Sequence, residues 1–212
     1  MAECGSMHPR VVVITGSITR RELDILDRDT NLIVLQDRAL ESASSFLEVV
    51  VRRRSIWVAF LSDPSETGTL ATALFLDFIV VHDTCRLEWT RSKTNSRSLE
   101  AALAYRIGRR AIPFLVMQQK PMDASALHAA RLCDAVVPST LTSVEWVRSW
   151  LKERSIVALE SGVKLIRLRT NDALERAEFS RLFSAGEPQR GLKDFLQKRR
   201  NSFSDEIIVE TI

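Results

Sequence analysis

Three short runs of uninterrupted apolar residues constrain what this chain can become. Val11-Val12-Val13-Ile14-Thr15, Ile56-Trp57-Val58-Ala59-Phe60-Leu61 and Phe78-Ile79-Val80-Val81 are rich in β-branched and aromatic side chains. None alternates with polar residues, so each reads as a strand buried on both faces. Between the second and third, Ser62-Asp63-Pro64-Ser65 supplies turn chemistry, and residues 69–76 read as a short apolar helix. Strand, helix and strand within residues 56–81 define a compact α/β unit with a parallel sheet.

The rest of the chain falls around that unit. Gly16-Ser17 ends the first run, and a polar stretch through Arg20-Arg21-Glu22 and Asp27-Arg28-Asp29 follows. In residues 39–52, Ala39, Leu40, Ala43, Phe46, Leu47 and Val50 recur at helical spacing. Leu99, Ala102, Leu103 and Ile107 share one face of a helix predicted over 98–107 and stopped by Gly108. Residues 111–118 form another apolar stretch. Asp123 is placed to N-cap a helix over 124–131, and Ala135-Val136-Val137 is a brief strand closed by Pro138. Beyond it the pattern turns helical. Thr142-x-x-Glu145 is a capping box opening a helix with Val144, Val147, Trp150 and Leu151, and further helices fit 154–168, 172–184 and 190–200. Ile207-Ile208-Val209 is an apolar tail expected to dock on a partner or to fray. The expected organisation is a tail over 1–10, an α/β core over 11–138, a helical region over 139–203 lacking an obvious core of its own, and a last tail over 204–212.

Composition removes several classes of chemistry. Among 212 residues only seven are glycine, roughly half of what a typical share of about 7% would give. No G-x-G-x-x-G and no G-x-x-x-x-G-K-[ST] occurs, so a glycine-rich phosphate loop is excluded. The 24 Arg and 6 Lys come in short clusters interleaved with 27 acids, and 7% of residues are aromatic. That is a salt-bridged surface rather than a nucleic-acid face. Cys4, Cys85 and Cys133 are odd in number and lack C-x-x-C spacing, which argues against a disulfide framework and a zinc site. Cys85 and Cys133 sit beside apolar residues with no adjacent histidine, and His8, His82 and His128 lie far apart, so neither nucleophile nor metal is expected. The N-terminus has no apolar signal region and no run approaches the ~18–20 residues of a membrane span. A cytoplasmic protein without nucleic-acid or membrane partners is expected.

Residues 55–89, SIWVAFLSDPSETGTLATALFLDFIVVHDTCRLEW, resemble the central segment of the crotonase (enoyl-CoA hydratase/isomerase) superfamily. There a buried strand, an N-G turn, a triple-glycine loop, a short helix, an aspartate and another strand occur in that order. Four further blocks follow in register. Val11 to Ser17 is similar to the family's V-L-T-G strand, and AALAYRIG at 101–108 to its post-loop helix. Pro121 to Pro138 resembles the block ending V-x-x-V-V-P, and GLKDFLQKRR at 191–200 resembles the E-G-x-x-A-F-x-E-K-R ending. The resemblance implies an α/β crotonase-like fold, a spiral of β-β-α turns, with a C-terminal helical oligomerisation region. It also implies no cofactor beyond a CoA thioester as substrate or ligand. The partners it implies are an acyl-CoA or carrier-bound acyl group and further copies, as a homotrimer or hexamer, alone or mixed with a full-length crotonase. The family's first strand-rich segment is expected to be missing, which would leave a sheet edge needing cover.

The family holds the thioester carbonyl between two backbone N–H groups, with carboxylates placed to move protons or activate water. By the resemblance, Gly68 carries one oxyanion donor and Arg21 stands where the second would be. The two hydratase glutamates fall on Ala71 and Arg91, so both carboxylates are lost. Three readings follow: a degenerate member that still binds an acyl thioester; an isomerase, decarboxylase or tailoring enzyme using Arg91 with Glu88 or His82; and a non-catalytic partner subunit.

Overall fold

The structure, a computed structural model, describes residues 9–43, 53–62, 67–87, 96–109, 121–152, 154–167, 172–197 and 208–212. Its first half alternates strand and helix: β1 (Arg10–Ile14), α1 (Arg20–Asp29), β2 (Leu32–Gln36), α2 (Asp37–Ala43), β3 (Ile56–Leu61), α3 (Thr67–Ala73) and β4 (Phe78–His82). Then come β5 (Arg86–Leu87), α4 (Ser96–Ile107), β6 (Met122–Asp123), α5 (Ala124–Ala129) and β7 (Ala135–Val137). Four helices follow, α6 (Ser143–Leu151), α7 (Ile156–Arg167), α8 (Asp172–Ser184) and α9 (Glu187–Leu196), before a last strand, β8 (Ile208–Thr211). The main sheet has the order β7-β4-β3-β2-β1-β8 and every pair in it is parallel. β5 and β6 form a small antiparallel pair beside it.

Winding direction decides where the helices go. From β1 to β4 each strand is added on the same side of its predecessor. Right-handed crossovers repeated in one direction place all their helices on one face of the sheet. That face buries Val12, Ile14, Ile33, Leu35, Trp57, Ala59 and Leu61 against α1 to α5. The alternate residues, Val11, Val13, Leu32, Val34, Val58 and Phe60, are just as buried on the other face. Only helices arriving later can cover them. α6 and α7 do so, through Trp146, Val147, Leu151, Ile156 and Val163. The region expected to lack a core of its own therefore supplies the sheet's second layer.

Two local expectations need correction. The polar stretch after Ser17 holds a helix and a strand. Thr19 and Glu22 cap each other at the start of α1, with the Glu22 carboxylate accepting from the Thr19 N–H at 2.8 Å. Leu32 to Leu35 are then fully buried between β1 and β3. The second correction is the C-terminal tail. Rather than fraying, β8 pairs with β1, with Arg10 bonded to Glu210 at 3.0 Å. Ile212 donates to Val13 and accepts from Thr15, each at 2.9 Å. The sheet edge expected to need cover is covered by the chain itself. The expected helix over 39–52 is seen as α2 to Ala43, and its remainder, like the stretch at 111–118, lies outside the described residues.

A buried carboxylate joins the layers. Asp77, just before β4, accepts from the Trp57 N–H at 2.8 Å, from Arg53 Nη2 at 2.8 Å and from Arg167 Nε at 2.8 Å. Arg167 also donates to the carbonyls of Arg53 and Ser55, at 3.0 and 2.6 Å. Burial alone would push the Asp77 carboxyl up, but the two guanidiniums overcome it and hold the group below its ordinary range. Removing one side of such a buried cluster leaves uncompensated charge. Asp77→Ala is expected to cost about 3–5 kcal/mol, read as a lower denaturation midpoint in urea.

A second cluster ties α8 to α7. Glu178 is buried among Lys164, Arg181 Nε at 2.9 Å and Ser161 Oγ at 3.1 Å. The Lys164 ammonium above all, with Arg181 and Ser161, outweighs burial and pulls the Glu178 carboxyl down to about 2. A depressed folded-state value contributes stability above the ordinary carboxylate pKa and loses it as pH falls through the folded value. The protection of α8 and α9 against hydrogen exchange, taken relative to the intrinsic rate at each pH, is expected to fall as pH is lowered from about 4.5 towards about 2, ahead of the sheet, and Glu178→Gln is expected to flatten that response.

Candidate functional site

In a parallel sheet the carboxyl ends of the strands open towards loops and helix starts, and ligands bind there. β2, β3 and β4 end side by side in this protein. Asp37 opens α2 directly after β2, and its carboxylate accepts from the Ser62 N–H at 3.2 Å and from the Ser62 hydroxyl. Gln36 donates to Ser143 Oγ at 2.6 Å, tying the end of β2 to the start of α6. His82 ends β4. Its Nε2 donates to the Leu141 carbonyl at 3.0 Å, and its ring meets Phe60 edge-on at 5.0 Å between centroids.

These groups sort the residues singled out by sequence. Gly68 is the second residue of α3, among the first-turn N–H groups that lack an intrahelical acceptor. Ala71 lies one turn further and packs in the core at 3% exposure, so that position holds no carboxylate. Arg21 is in the first turn of α1, after β1. β2 intervenes between β1 and β3, which sets their carboxyl ends about 10 Å apart at the usual strand spacing. The helix start on the strand next to β3 is that of α2. His82 is anchored to Leu141, and Glu88 and Arg91 lie outside the described residues.

The Asp37–Ser62 pair is the feature that sequence spacing passed over. Its signal is a single acid just past the end of an apolar run, with its partner 25 positions on. Only the pairing of β2 with β3 brings the two together. Elsewhere, Cys133 is buried, and that burial first, then Asp134, pushes its thiol up to about 11, an inert state. Among the described residues no group of three His, Cys, Asp or Glu could hold a metal ion, and no helix is long and apolar enough to cross a membrane.

Comparison with known proteins gives a fold. The chain superposes on an enoyl-CoA hydratase/isomerase family member with a TM-score of 0.66 and 20% identity, covering 86% of this chain and 84% of that one. An enoyl-CoA hydratase from Bacillus anthracis gives 0.64 at 15% identity, with 88% of each chain covered. One from Thermoplasma volcanium gives 0.63 at 18% identity, covering 84% of this chain and 88% of that one. No family model matches the sequence, and no curated protein matches it either. The chain therefore has the α/β crotonase fold, at a sequence distance where the fold is what is shared.

The Asp37–Ser62 contact is expected to be structural in part and separable. Ser62→Ala keeps the backbone N–H donor and is expected to cost about 1 kcal/mol, whereas Asp37→Ala leaves two donors without their acceptor and is expected to cost about 2–3 kcal/mol. Denaturant midpoints measured on both variants compare the two directly.

Proposed function

We propose that this protein is a degenerate relative of the enoyl-CoA hydratases and isomerases that binds an acyl thioester, as acyl-CoA or a carrier-bound acyl group, without hydratase chemistry. The observation that carries the reading is the state of α3 within a crotonase fold: Gly68 kept in its first turn, and alanine at position 71 packed into the core. The Gly68 N–H supplies one oxyanion donor. The second comes from the first turn of α2, favoured over Arg21 because β2 pairs with β3 and β1 does not. A general acid or base is worth about 10²–10⁴-fold. With the Ala71 position apolar and Arg91 a cation, the pair of carboxylates that hydrates an enoyl thioester is missing.

A non-catalytic, oligomeric role has its own support. Phe179 and Phe183 on α8, and Leu192, Phe195 and Leu196 on α9, are all exposed, Phe195 at 76%. Exposed apolar side chains gathered on two successive helices suit a contact with another subunit. Assembly as a homotrimer or hexamer, alone or with a full-length crotonase, is part of the proposal and is compatible with thioester binding.

The test uses crotonyl-CoA. No loss of the conjugated thioester at ordinary hydratase rates is expected, together with a rise in thermal midpoint that grows with ligand. At a hundredfold excess over Kd the stabilisation is about 2.7 kcal/mol. Rapid turnover would remove the degeneracy, and the absence of a shift with acyl-CoA and acyl-carrier thioesters alike would remove the ligand.

A further inference from the structure

The opposite end of the sheet, where the strands begin, holds a cavity of about 740 Å³ between the end of α1, the segment leading into β3, and α7 with α8. That volume is in the range of small-molecule sites. Its wall is strongly cationic: Arg28, Arg53, Arg54, Lys164, Arg167 and Arg181 all line it. Arg53 and Arg167 share the single carboxylate of Asp77, while Lys164 and Arg181 share that of Glu178.

The wall's own acids are taken up by neighbouring donors of the wall rather than by Arg28 or the Arg54 guanidinium. Asp27 accepts from the Arg54 and Ser55 N–H groups, at 2.8 and 3.0 Å, and from Trp57 Nε1 at 2.9 Å. Glu160 accepts from Asn31 Nδ2 at 2.8 Å. Six cations thus face four carboxylates, and no ion pair joins Arg28 or Arg54 to an acid among the described residues. In the same wall the buried hydroxyl of Thr30 has no hydrogen-bond partner. A concave, low-dielectric wall focuses such an excess of positive charge.

We propose that this cavity binds a small diphosphate-bearing anion, separately from the thioester site. Guanidinium forks match phosphate oxygens in pairs, and two arginines without a carboxylate call for more than one phosphate. A single orthophosphate would leave most of the cavity to water. Arg28 reaches the ligand from α1 and Arg54 from the segment leading into β3, with Lys164 and Arg181 lining the cavity from α7 and α8.

The experiment is a calorimetric titration of the full chain with inorganic pyrophosphate, repeated with sulfate, with ADP and at raised salt. Saturable one-site binding is expected, weakening as salt rises. The exposed pair Arg28→Ala/Arg54→Ala is expected to weaken it about tenfold or more while leaving the thermal shift with acyl thioester unchanged. ADP binding as well as pyrophosphate would support the site with a nucleotide as the source of the diphosphate. ADP failing where pyrophosphate binds would support it with free diphosphate. No saturable heat, an unaltered Kd in the double variant, or sulfate binding as tightly as pyrophosphate would overturn it.

Discussion

The architecture turns on the carboxylate of Asp77. One-directional winding from β1 to β4 puts the crossover helices on one face and leaves the other bare. A bare face of valine, leucine and phenylalanine is unstable in water, so helices from later in the chain have to be held against it. Apolar packing by α6 and α7 supplies the area, but area has no direction. Arg167, at the end of α7, supplies the direction by reaching Asp77 and the carbonyls before β3. The same carboxylate accepts from Trp57 N–H at the start of β3. One buried acid therefore sets the start of two neighbouring strands and the seat of the helix that covers them.

Much of this was legible in the residues, and the failures are instructive. The β1, β3 and β4 runs read as buried strands because side chains on both faces had to be apolar. The Thr142–Glu145 box opened α6 where expected, with both reciprocal hydrogen bonds formed, because capping is a local matter. β2 was passed over although Leu32-Ile33-Val34-Leu35 is as apolar as the run that forms β4. Its flanks, Asp29-Thr30-Asn31 and Gln36-Asp37-Arg38, are polar, and the run was absorbed into them. β8 was invisible for a different reason. A short tail becomes a strand only through β1, about 200 residues earlier in sequence, and such pairing leaves no local mark.

The candidate site divides along the same line. Gly68 was read from sequence by its distance from a strand and a helix start, and it lies in the first turn of α3. Ala71, one turn further along the same helix, packs in the core. A second oxyanion donor could not be read that way. Which strand neighbours β3 is a matter of topology, and the unread β2 stands between β3 and the strand that precedes Arg21. Asp37 with Ser62 was missed on the same account. The glycine shortage, which first excluded phosphate loops, leaves α3 with one glycine where a triple-glycine loop would stand in the crotonases the sequence resembles.

The proposed function requires that a thioester carbonyl find two backbone donors here with no hydratase carboxylate beside it. A crystal structure with a non-hydrolysable acyl-CoA analogue would show whether it does. The carbonyl oxygen is expected about 3 Å from the Gly68 N–H and about 3 Å from an N–H in the first turn of α2, with no carboxylate beside the α or β carbon. A thioester bound away from Gly68, or one flanked by a carboxylate in catalytic reach, would contradict it.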